Sequence, residues 1–131
     1  MDIFLTVDHP MLLGGLISRV AMAEGLKVVG SASTAEGTLE WLQKHPVDLI
    51  VIDDKVPDQE YHQFLKAAQR LCPHVKLLLM GQEKDPLEVE KLLAQGLSGY
   101  MLRQDAHDRL VAAIYAIGQG ERYLSPQLQS R

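Results

Sequence analysis

Apolar runs alternate along this chain with segments whose apolar residues recur at helical spacing. Ile3-Phe-Leu-Thr-Val7 has the character of a short buried strand, and from Met11 to Ala23 the residues Leu12, Leu13, Leu16, Ile17 and Val20 fall on one helical face. Pro10 suits the first position of that helix, because the N–H it lacks has no partner there, and Gly25 closes it. Leu26 to Val29 reads as a second strand. Ser33-Thr-Ala-Glu36 reads as a capping box for a helix carrying Leu39 and Leu42, which His45-Pro46 stops. Leu49 to Ile52 is apolar at every position, which fits a strand covered on both faces. Asp58 is placed to cap a third helix with Tyr61, Phe64, Leu65, Ala68 and Leu71. Val75 to Met80 predicts a fourth strand. Asp85-Pro86 with Glu88 opens a helix that ends at Gly96, and Ser98 to Leu102 predicts a fifth strand. Asp105 is expected to cap the last helix, with Leu110, Ala113, Ile114 and Ile117, before Gly118 and Gly120 break it.

Strands and helices in strict alternation imply right-handed crossovers and a parallel sheet with helices on both faces. The expected fold is α/β, a (βα)5 doubly wound sheet of five strands in the flavodoxin-like order 2-1-3-4-5. Its crevice lies at the carboxyl ends of the first and third strands. Those ends are Val7-Asp8-His9-Pro10 and Asp53-Asp54-Lys55-Val56-Pro57. Two carboxylates, Asp8 and Asp53, together with a backbone carbonyl and waters, suit octahedral Mg²⁺. With that charge neutralised, one carboxylate can attack a phosphoryl group.

Composition narrows the rest. At 131 residues the chain is one domain able to bury a core, and 47% hydrophobic with 23% charged residues is the balance of a globular protein. The formal charge is −4 with scattered Lys and Arg, so there is no basic stripe for nucleic acid. The lone Cys72 excludes an internal disulfide. No apolar run reaches a membrane span and the N-terminus carries no signal peptide, so a cytoplasmic location is expected. His45, His62, His74 and His107 lack ligand spacing, His9 is expected to assist the entry of the first helix, and Trp41 to serve packing.

The stretches "VDHPML", "VDLIVIDDKVP", "VKLLLMG", "GLSGYMLR" and "AIGQGERYLSP" resemble the receiver domains of bacterial two-component response regulators, and more closely the NarL/FixJ, or LuxR-type, subgroup. The resemblance covers essentially the whole chain. It implies that Asp53 accepts a phosphoryl group from a histidine kinase, with Asp8, Asp53 and the Lys55 carbonyl as the direct ligands of Mg²⁺. It also implies a homodimer, with Leu12, Leu16, Leu110 and Ile114 offering either apolar surface for it or core residues of the first and last helices, two uses the sequence does not separate. Residues 1–120 then form the receiver, and residues 121–131 begin a linker to a DNA-binding helix-turn-helix domain through which alone DNA is met.

Four positions depart from the family pattern. Val7 stands where an acid usually acts on the metal through water, which implies weaker Mg²⁺ binding. Gly81 stands where a Ser or Thr hydroxyl usually bonds the phosphoryl group, which cuts its coupling to Tyr100, the residue resembling the rotamer switch. Arg103 replaces a lysine and is not equivalent to it; one arrangement has it reach Asp8 and Asp53 in place of metal or phosphate. Asp54 replaces an aliphatic residue and is expected to be solvated on the loop surface. The expected function is therefore an atypical receiver, a dimerising input module of a transcription factor with weakened phosphate-dependent switching; the alternative is a conventional phospho-switch at Asp53. An aspartyl-phosphate phosphatase wants a second acid where Lys55 stands. A flavodoxin wants a hydroxyl-rich phosphate loop that "DHPMLLGG" does not supply.

Overall fold

The computed structural model describes residues 1–56 and 60–129. Six parallel strands, β1 (Asp2–Thr6), β2 (Lys27–Ala32), β3 (Leu49–Asp53), β4 (Lys76–Gly81), β5 (Gly99–Leu102) and β6 (Tyr123–Leu124), form one sheet in the order β2-β1-β3-β4-β5-β6. Five helices connect or follow them: α1 (Pro10–Ala21), α2 (Ala35–Leu42), α3 (Tyr61–Leu71), α4 (Pro86–Ala94) and α5 (Ala106–Gly118). The α/β class, the doubly wound arrangement and the order of the first five strands are as the alternation predicts.

The unbroken apolar strands are explained by two cores. Side chains alternate across a strand. Phe4, Ile50, Ile52, Leu77, Leu79, Tyr100 and Leu102 therefore enter the core shared with α2, α3 and α4. Ile3, Leu5, Leu49, Val51, Leu78, Met80 and Met101 enter the one under α1 and α5. Leu16, Leu110 and Ile114 belong to that second core, and Leu12 is partly buried against it. The apolar residues proposed from sequence as a dimer surface are thus largely interior, because α1 and α5 pack on the same sheet face. On or beside these helices the exposed apolar residues are Met11, Ile17, Met22 and Tyr115.

Helix starts follow local chemistry, with shifts in detail. His9 caps α1, its Nδ1 accepting the Leu12 N–H at 3.1 Å, and Pro10 takes the first turn. Thr34, one residue later than expected, caps α2 by accepting the Gly37 N–H at 2.9 Å. Glu60 caps α3 through the Gln63 N–H at 3.1 Å; the predicted cap, Asp58, lies outside the described residues. Asp85 caps α4 as expected, accepting the Leu87 N–H at 3.0 Å. Asp105 does not cap α5 with its side chain, because a 3-10 turn over Arg103–Asp105 leads straight into that helix. Cys72 is buried and its Sγ donates to the Val47 carbonyl at 3.3 Å.

The sixth strand lies in the stretch expected to begin a linker. Tyr123 and Leu124 pair with Gly99 and Tyr100, and a 3-10 turn over Pro126–Leu128 buries Leu128. Gly99 permits the approach: a Cβ there would lie 3.0 Å from both the Cβ and the carbonyl oxygen of Tyr123. Ser125 is fully buried, and its Oγ accepts the Leu102 N–H at 2.9 Å. Removing that oxygen strands a buried donor. Ser125→Ala is therefore expected to destabilise the domain by about 1–3 kcal/mol. In urea this lowers the midpoint without changing the slope; an unchanged midpoint would show that the segment contributes nothing to the fold.

Candidate functional site

The carboxyl ends of β1 and β3 lie side by side, since Ile3 to Thr6 pair with Leu49 to Ile52. A cleft of about 410 Å³ opens there, lined by Asp8, His9, Leu12, Asp53, Lys55 and Arg103. Asp8, at the start of the loop after β1, is exposed, as is Lys55. Val7 is 2% exposed and packs in the core under α1, its N–H donating to the Ala32 carbonyl at 3.0 Å. It serves as the last core residue of the first strand segment.

Asp53 closes β3 and is 1% exposed. A carboxylate that deep requires a positive or hydrogen-bonding partner. Arg103, the first residue after β5, supplies it: Asp53 Oδ1 accepts Nε at 3.0 Å and Nη2 at 2.5 Å. The same Nη2 also donates to Asp54 Oδ1. Burial pulls the Arg103 pKa down, but its hydrogen bond to Asp53 and the charges of Asp53 and Asp54 outweigh this and raise it, so the guanidinium stays charged. Of the two acids expected to meet Arg103, Asp53 does so; the second carboxylate it bonds is Asp54 rather than Asp8, because Asp54 lies on the turn next to Asp53 while Asp8 is exposed across the cleft.

Asp54 is not a solvated loop acid. Its side chain is 26% exposed, its N–H donates to the Met80 carbonyl at 2.8 Å, and its Oδ2 accepts the Gln82 N–H at 3.0 Å. Register explains the placement. Asp53 pairs with Met80 across the sheet, so the next residue lies level with Gly81. Gly81 is buried at the end of β4, and a Cβ built on it would lie 2.7 Å from Asp54 Oδ2 and 2.8 Å from the Tyr100 hydroxyl. The carboxylate and the phenol fill the space that a side chain at position 81 would take.

Tyr100 is 1% exposed and its hydroxyl donates to the Glu83 carbonyl at 3.0 Å. Burial, with Asp54 nearby, pushes its phenol up to about 12. Tyr61, at the start of α3, is raised further by burial and by the charges of Asp54 and Asp53. Sequence reading singles out Asp54 but expects it on the solvated loop surface, and it assigns no part in the site to Tyr61 or the Gln82 N–H. The available signal is the missing side chain at Gly81, one register step from a surplus acid.

Asp8, Asp53 and Lys55 share the cleft, but Asp53 Oδ1 already accepts two N–H bonds from a fixed cation. Among the described residues no three His, Cys, Asp or Glu side chains gather as a metal site. An ion such as Mg²⁺ that demands near-ideal octahedral oxygen geometry would have to share the Asp53 carboxylate with the guanidinium, which holds one of its two oxygens. Among the described residues no helix is long and apolar enough to cross a membrane.

Residues 3–115 match the family model for the response regulator receiver domain. The response regulator GacA of Pseudomonas aeruginosa is 29% identical over 98% of this chain, and UvrY of Escherichia coli is 24% identical over 98%. The chain spans 60% of the length of GacA and 59% of UvrY. The probable transcriptional regulatory protein NarL of Mycobacterium tuberculosis is 25% identical over 92% of the chain and 56% of its own length. Among solved structures, the isolated receiver domain of RcsB from Salmonella enterica serovar Typhimurium superposes with a TM-score of 0.86 at 21% identity, covering 98% of this chain and 95% of that one. The fold, the crevice at β1 and β3 and these matches lead to one conclusion: the chain belongs to the response regulator receiver domain family, with relatives of the NarL/LuxR type.

Proposed function

We propose that this domain is an atypical receiver, a signal-input and dimerising module of a transcription factor in which Arg103 takes the place that Mg²⁺ and a phosphoryl group would occupy at Asp53. The observation that carries the reading is the double hydrogen bond from the Arg103 guanidinium to Asp53 Oδ1. A buried carboxylate already neutralised by a side chain has little to gain from a hydrated divalent ion, and its bonded oxygen is a poorer nucleophile. Gly81 contributes no hydroxyl to receive a phosphoryl oxygen. In this reading Asp8 and Lys55 keep the outline of a metal site without its charge balance, Val7 adds no acid to it, and the module works by binding rather than by catalysis.

A second reading keeps Asp53 as a phosphoacceptor fed by a histidine kinase, because Asp8, Asp53 and Lys55 all line one cleft. Dimerisation is proposed in both, supported by the exposed Met11, Ile17, Met22 and Tyr115 on or beside α1 and α5. Contact with DNA is proposed only through chain beyond this domain. One RcsB structure, described as two dimers bound to two parallel DNAs, gives a precedent.

Incubation with acetyl phosphate or beryllofluoride and Mg²⁺ separates the readings. Intact mass and size-exclusion elution are expected to stay unchanged in the wild-type chain; an adduct lost in Asp53→Asn and accompanied by altered assembly supports the second reading. Arg103→Ala is expected to raise Mg²⁺ affinity by roughly tenfold or more, since hydrogen bonds to charged groups are worth about 1.5–3 kcal/mol and 1.4 kcal/mol is a decade. Calorimetric titration checks this, and equal affinities in the two proteins would remove Arg103 from the role.

The buried phenols predict alkaline behaviour. Their folded pKa values lie above the ordinary 10.0, so the folded state holds protons that the unfolded state has released. The stability this contributes is complete below about pH 10 and is lost as pH rises toward the Tyr100 value of about 12. Urea unfolding across that range is expected to show a steep loss, and Tyr100→Phe a shallower one.

A further inference from the structure

The segment between β4 and α4 is held at two successive residues. Asp54 Oδ2 accepts the Gln82 N–H at 3.0 Å, and the Tyr100 hydroxyl donates to the Glu83 carbonyl at 3.0 Å. The segment then runs into the α4 cap, where the Glu83 carboxylate accepts the Asp85 N–H at 3.1 Å and Asp85 accepts that of Leu87. Both anchoring groups stand against Gly81, at 2.7 and 2.8 Å from where a Cβ would be. A side chain at position 81 would oblige both groups to move. Arg103 holds the far oxygen of Asp54, and so ties the same carboxylate to Asp53.

We infer that Asp54 is a positioning residue, a tethered anion that occupies the space left by Gly81, bonds the Gln82 amide, and so holds the β4–α4 segment closed over an inward Tyr100. This deepens the proposed reading and rests on it: Arg103 neutralises the centre, and Asp54 supplies from within the chain the negative charge that fixes the adjoining segment. The glycine and the aspartate are complementary. An ordinary side chain at 81 would expel the carboxylate, and without the carboxylate the glycine leaves a hole beside a buried phenol. Because the anion is covalently attached, its local concentration does not depend on any phosphoryl donor, and the start of α4 is set whenever the domain is folded.

Amide hydrogen exchange on the intact chain tests this. In Asp54→Ala the amides of residues 82–85 are expected to exchange about tenfold faster or more, the scale of one hydrogen bond to a charged group. Asp54→Asn, whose amide oxygen can still accept from Gln82, is expected to keep most of the protection. Gly81→Ala leaves Asp54 chemically intact but places a methyl group against it, and is expected to open the same segment. Unchanged protection on β1 and β3 certifies that each variant is folded. Equal exchange at residues 82–85 in wild type, Asp54→Ala and Gly81→Ala overturns the inference. That result leaves the Arg103 reading standing. A phosphoryl adduct that alters assembly in the wild-type chain instead defeats the Arg103 reading, whatever Asp54 does.

Discussion

A carboxylate buried at the end of a strand covered on both faces needs a cation or hydrogen-bond donors, and here one side chain, Arg103, supplies both. Asp53 is interior because β3 is interior: each residue from Leu49 to Asp53 is buried between helices on the two sheet faces. Isolated charge at such a place carries a large desolvation cost, and removing one partner of a buried pair is strongly destabilising. Arg103 meets this requirement with a rigid fork that can hold two oxygens at once, a geometry that an ammonium on a flexible stem does not fix.

The other departures from the family pattern can be understood from that pair. Once Arg103 binds Asp53, its second direction needs another acceptor, and Asp54 is within reach on the adjoining turn. Asp54 can turn inward only where Gly81 leaves room, and there it meets the Gln82 N–H. Tyr100 fills what remains and closes on the Glu83 carbonyl. Gly81, Arg103 and Asp54 are then one connected arrangement, while Val7 stands apart in the core under α1. At the carboxyl ends of β3 and β4 a side-chain cation and two side-chain anions meet in one bonded group.

The C-terminal segment adds to this picture. Packing of β6 and the turn after it against β5 covers a sheet edge that would otherwise offer unpaired backbone groups. Leu124 pairs directly beside Tyr100, and Ser125 is bonded to Leu102, the residue before Arg103. The segment after α5 is therefore packed on the strand that carries the phenol and ends at the guanidinium.

Periodicity and capping chemistry decided the class, the strand order and the nearness of Asp8 to Asp53, because side-chain alternation and right-handed crossovers leave few arrangements for such a pattern. Even the start of α4 at Asp85-Pro86 and the role of His9 were legible, since caps act within a turn of the residue that forms them. The cap shift from Ser33 to Thr34 and the missing side-chain cap at Asp105 were not, because neighbouring residues compete for one geometry and packing selects the winner. The short β6 escaped because two residues carry too little pattern to register. Which oxygen meets Arg103, fifty residues from Asp53 along the chain, and which carboxylate fills the gap at Gly81, were decided only by the tertiary structure. The sequence pattern assigns a residue to a face, but contact between charged tips is set by sheet register and by the empty volume left beside them.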